Sequence, residues 1–160
     1  MNKFEFIIEE DGDSKVIFRF LPQESHCHSF NEHPPKSWDD VYKVYYAYEV
    51  VDHWIEDEEE REDLLFSTTY DECSAIGFVS NFLNNFDWDC FHHEIFTPIG
   101  SGVQWKLKRR MSNQKCGICF ELWKPCNMGY RMFMTQEKAH QFGVFLNDCC
   151  EYMLAHGEPI

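Results

Sequence analysis

Val103-Gln104-Trp105-Lys106-Leu107-Lys108-Arg109-Arg110-Met111 alternates with period two. Val103, Trp105, Leu107, Arg109 and Met111 fall on one side, mostly apolar, and Gln104, Lys106, Lys108 and Arg110 on the other, fully polar. Successive side chains of an extended chain point to opposite faces, so this stretch reads as a sheet strand with one dry and one wet side. Ser112-Asn113-Gln114 turns the chain into Cys116 to Trp123, and Pro125 to Gly129 turns it again into Tyr130 to Met134. Short connections join antiparallel neighbours, which predicts a three-stranded meander. Thr135 then caps a final helix, with Gln136 and Glu137 in its first turn and Ala139, Phe142, Leu146, Cys149, Cys150 and Met153 forming a stripe. Gly157 and Pro159 are stop signals. The stripe needs an apolar surface, and the meander is the nearest one.

Working back toward the N-terminus, Lys3 to Ile8 and Lys15 to Leu21 are β-rich runs joined through Asp11-Gly12, a hairpin signature. Phe4, Phe6 and Ile8 share one face of the first run, and Val16, Phe18 and Phe20 one face of the second. Residues 22 to 37 read as loop. From Trp38 to Ile55 two patterns compete: Val41, Val44, Tyr45, Tyr48 and Ile55 keep helical spacing if Asp52 joins the stripe, while Val44 to Val51 is β-rich in composition. The helical reading is preferred. Thr69 and Glu72 form a capping box ahead of Cys73, Ile76, Val79, Leu83 and Phe86, a second helix ending near Asn84-Asn85. The expected fold is α+β in one domain spanning 1–160: an antiparallel sheet made of the N-terminal hairpin and the C-terminal three-stranded meander, with two to three packed helices.

With 160 residues, of which 44% are hydrophobic and 17% aromatic, the chain can bury roughly 70% of its extended surface. Disorder throughout is excluded. No run approaches the roughly 20 apolar residues of a membrane-spanning helix. Met1 to Asp13 is acidic where a secretory signal needs a basic start, so a soluble, cytoplasmic protein is expected. In that compartment the eight cysteines stay reduced and serve mainly as small core residues.

Charge is unevenly spread. Residues 1 to 96 hold 23 Asp/Glu against 6 Lys/Arg, while residues 97 to 160 hold 5 against 8. The formal net charge of −14 therefore divides into an acidic body and a slightly basic C-terminal part. Acidic density peaks at Glu56, Asp57, Glu58, Glu59, Glu60, Glu62 and Asp63, interrupted by Arg61. Such a run repels itself unless it is solvated or met by a cationic partner. Lys106, Lys108, Arg109, Arg110 and Lys115, next to Trp105, are the counter-signal for nucleic acid. A strongly acidic body repels phosphate at long range, so nucleic-acid binding is not expected.

Cys116-Gly-Ile-Cys119, with Cys126 downstream, has the spacing of half a zinc knuckle. It lies inside a strand pattern, where residues three apart point to opposite faces, so zinc is not expected there. His26, His28, His92 and His93 sit in two His/Cys-rich segments. If those segments met, they would bind zinc or another transition metal, and a metal-binding module or metal-dependent enzyme is the alternative reading. The sequence holds no nucleophile elbow, phosphate-cradling glycine loop, dinucleotide fingerprint or metalloprotease helix.

Trp38, Tyr42, Tyr45, Tyr46, Tyr48 and Trp54 precede the acid run, and one element cannot turn all of them inward. Rings beside dense carboxylate suit a surface that binds phosphate and bases in its own partner. The expectation is a small acidic inhibitor of the immunity-protein, antitoxin or anti-defence type, blocking a basic partner such as a toxin or nuclease. Glu56, Asp57, Glu58, Glu59, Glu60, Glu62 and Asp63 would contact that partner, with Tyr46, Tyr48 and Trp54 as apolar anchors.

Overall fold

The computed structural model describes residues 4–27, 44–85, 95–96, 103–112, 115–125 and 127–156. Two antiparallel sheets and two helices make an α+β fold. The N-terminal sheet is organised by one long strand. β1 (Glu5–Asp11) and β2 (Ser14–Phe20) form the expected hairpin, with Gly12 at φ 59° in its two-residue turn. β2 pairs with β4 (Val44–Glu56) through Phe20↔Tyr48 to Lys15↔His53. The short β3 (His26–Cys27) continues along the same edge of β4 at Tyr45 and Val44. The detour between β2 and β3 is tied down by buried Ser25, whose hydroxyl donates to Leu21 O (2.9 Å) and accepts from the amide of Ala47 (3.0 Å). β5 (Glu59–Glu72) covers the other edge of β4.

The segment expected to be helical, 38 to 55, is thus corrected from Val44 onward: it is strand. Residues 38 to 43 lie outside the described ones. Its β-branched and aromatic composition prevails because both edges of β4 find partners, and period two then puts Tyr46, Tyr48 and Val50 inward, all at 1% exposure or less. α1 (Cys73–Asn84) follows β5 directly. Thr69 and Glu72 are still strand, so the helix starts three residues later than a Thr69 cap would place it.

In the C-terminal sheet, β6 (Ile95–Phe96), β7 (Gln104–Ser112), β8 (Lys115–Lys124) and β9 (Asn127–Thr135) pair in sequence order. Trp105↔Leu122 and Leu107↔Phe120 put the dry residues on one face, as alternation requires. Met111 departs from the pattern: it is 64% exposed at the far end of β7, beyond the apolar neighbours that bury Trp105 and Leu107. α2 (Gln136–His156) begins where Thr135 Oγ1 accepts from the Lys138 amide (3.4 Å). Ala139, Phe142, Leu146, Cys149, Cys150 and Met153 are all buried along it.

The two sheets and α2 share one apolar core. Phe142 meets Phe6 and Phe18 of the N-terminal sheet (centroids 5.0 and 5.3 Å) and Trp105 and Phe120 of the C-terminal one (6.2 and 5.6 Å). Lys138 fastens β1 to the same helix: its ammonium donates to Ile7 O (3.1 Å) over the Phe6 ring. No helix among the described residues is long and apolar enough to cross a membrane.

Candidate functional site

The acid run is a hairpin. Glu56 pairs with Glu59 across Asp57 and Glu58, both in the left-handed region at φ 53° and 65°. Two positive φ values define a type I′ turn, whose twist matches the flanking strands. Alternation then sorts the carboxylates. Glu60 and Glu62 share the outward face of the sheet with Ile55 and His53, while Glu56, Glu59 and Asp63 share the opposite face with Trp54, Arg61 and Asp52. Asp57 and Glu58 form the tip. Every residue from 55 to 65 is exposed.

A second acidic segment joins it. Because Lys15 pairs with His53, the β1–β2 turn lies at the same end of the sheet as the β4–β5 turn. That brings Glu9, Glu10, Asp11 and Asp13 beside the acid run. Ser14 Oγ donates to Asp52 Oδ1 (3.4 Å), linking the two hairpins. Glu9 and Asp52 reach Tyr130 of β9 as well: burial, and then these two carboxylates, push its phenol up to about 12. The result is an acidic pole built from two hairpin ends.

Some of this charge is already neutralised. Arg61 pairs with Glu59 (3.0 Å). Glu62 is drawn away from the tip to Arg19 of β2 (2.8 Å), which also holds Glu49 (2.9 Å) and Glu5 (3.4 Å). The Arg19 hydrogen bond keeps the Glu62 carboxyl below its ordinary pKa. By register, the Arg19–Glu62 bridge passes over the row Ile17–Val51, which explains why these outward-facing residues are 6% and 3% exposed. Glu62 therefore has a structural task. His53 sits beneath Glu60 (Nε2 to Oε1, 3.9 Å), with its Nδ1 buried and without a hydrogen-bond partner.

Of the expected anchors, Tyr46 and Tyr48 are corrected. Both lie in the core, at 0% and 1% exposure, with Tyr48 stacked on Phe18 (4.8 Å). Tyr46 and Tyr48 are absorbed where the two sheets face each other, and Trp38 and Tyr42 lie outside the described residues. Trp54 stays on the hairpin, half-buried, its indole N–H pointing to Glu56 Oε2 (3.5 Å). Ile55, at 48% exposure, is an apolar side chain on the pole that the sequence reading placed on a helical stripe and not among the contact residues.

Within the basic cluster Arg109 alternates to the opposite face, while Lys106, Lys108 and Arg110 lie on the wet face of the C-terminal sheet. Glu121 is held there between Arg131 (3.1 Å) and Lys106 (3.8 Å). Arg109 turns its Nε to Cys116 Sγ (3.2 Å). Cys116 and Cys119 lie three apart on β8 and so on opposite faces, as the alternation predicts. His26 is on β3, whereas His28, His92, His93 and Cys126 lie outside the described residues. Among the described residues no three His, Cys, Asp or Glu side chains are grouped to hold a metal ion.

Comparison with known proteins leaves the reading to this geometry. The chain matches no protein family, no curated protein and no solved structure.

Proposed function

We propose that the protein is a small acidic binding protein of the inhibitor, immunity or anti-defence type, acting in the cytoplasm on a basic, nucleic-acid-processing partner such as a toxin or nuclease. The observation that carries this reading is the meeting of two acidic hairpin ends at one pole. Carboxylates on a rigid hairpin stand in for phosphates: they are fixed by strand pairing, exposed, and concentrated where the field adds. Trp54 and Ile55 supply apolar contact inside the charged rim, the combination that gives an interface both an anchor and orientation. The field of the concentrated carboxylates turns this pole toward a cationic surface and speeds encounter.

The test is affinity capture with the full chain at low ionic strength, followed by mass spectrometry. A basic partner is expected, released by salt and lost when Glu56, Asp57, Glu58, Glu59 and Glu60 become Ser or Asn. Capture of no basic protein, or capture undiminished in that variant, overturns the reading.

A further inference from the structure

Among the described residues β5 is an edge strand, and the side chains of its first half are exposed. Among the described residues only β4 pairs with it, and residues 59 to 65 are exposed without a break. Leu64 and Leu65 are 60% and 40% exposed within that stretch, beside Ile55 at 48%. A sheet edge of this length carries unpaired main-chain donors and acceptors and is a template for a further strand.

The turn specifies which groups face outward. In a two-residue hairpin the residues flanking the turn, Glu56 and Glu59, exchange hydrogen bonds. Bonded and non-bonded pairs then alternate, so the N–H and C=O of Glu60 and Glu62, opposite Ile55 and His53, point away from β4. Their side chains stand on the same face as Leu64, in register with Val51. A strand laid along this edge would find main-chain partners at Glu60 and Glu62, and on one face two carboxylates for its cationic side chains with Leu64 next to them for a cation's methylene stem.

The charge decides who can use it. A second copy pairing antiparallel here would bring two acid runs together, which like-charge repulsion opposes. A basic strand meets the reverse situation. We propose that β5 captures an extended segment of the partner in which cationic and apolar residues alternate, adding it to the N-terminal sheet as an extra strand. The proposal rests on the acidic-pole reading above and specifies its binding mode.

Two acetylated, amidated heptapeptides of equal charge separate the possibilities: Lys-Val-Lys-Val-Lys-Val-Lys, which readily extends a sheet, and Lys-Pro-Lys-Pro-Lys-Pro-Lys, whose prolines lock φ at about −65° and hold the chain in polyproline II instead of a pleated strand. Each is titrated into the isotopically labelled full chain at low ionic strength, with amide exchange followed by NMR. The valine peptide is expected to bind roughly tenfold or more tightly than the proline peptide and to slow exchange at the Glu60 and Glu62 amides. Equal binding of both peptides, or tighter binding of the valine peptide without that slowing, overturns strand addition and leaves the charge reading intact. Binding of neither overturns the charge reading, and this proposal with it. Protection of these amides in peptide-free protein, growing with its concentration, assigns the edge to a second copy and also overturns the proposal.

Discussion

Glu58 holds φ 65° at the tip of the acidic hairpin, a conformation that costs an L-residue about 1–2 kcal/mol and that Asp57 beside it tolerates better. Glycine suits that position and removes the clash at the expense of some unfolded-state entropy. Glu58→Gly is therefore expected to stabilise the protein by about 0.5–1 kcal/mol in urea unfolding; a loss of stability would mean that the tip is not a type I′ turn. Glu62 makes the opposite kind of contribution. Its folded pKa is lowered by the Arg19 hydrogen bond, so the stabilisation is present above the ordinary glutamate value and disappears as pH falls through the lowered one. Glu62→Gln should be less stable than the parent near neutral pH, and the gap should narrow progressively as both are titrated below the ordinary glutamate range. A gap that persists at the acid end would show that Glu62 acts through packing over Val51 and Ile17. Neither residue's task was legible in the sequence, where both were simply members of an acid run.

Elements show the same contrast between local pattern and partner. The period-two signal at Val103 to Leu107 and the helical stripe of α2 were each strong enough to be read alone, because every position agreed with one geometry. Val44 to Ile55 offered two geometries, and pairing with β2, β3 and β5 decided between them. Helix contacts depend equally on the neighbour. A Cβ at Gly143 of α2 would stand 2.8 Å from Leu83 Cβ of α1, and Ser80 Oγ donates to Gly143 O at 3.0 Å. Alanine is the better helix former by about 1 kcal/mol, yet Gly143→Ala is expected to destabilise by about 1–3 kcal/mol because the helices must part. A higher melting temperature for this variant would show that the α1–α2 contact yields.

At the scale of the whole molecule, the core is where the two sheets depend on each other. Phe142 touches rings from both, so Phe142→Ala is expected to cost about 3–5 kcal/mol. Amide exchange at Val50 and at Phe120 should accelerate together in that variant; acceleration in one sheet alone would show that the sheets unfold separately. The sequence by itself determined the α+β class, the meander, α2 and the uneven charge, since periodicity and charge order are properties of consecutive residues. It also marked the seven carboxylates from Glu56 to Asp63 and the adjoining Trp54. Only the tertiary structure decided that Tyr46 and Tyr48 are core, that Glu62 is held by Arg19, and that Glu9 to Asp13 stand beside the acid run. Those outcomes turn on the register Lys15↔His53 and its neighbours, which joins segments far apart in the chain, and register is settled by which faces two sheets can bury against each other.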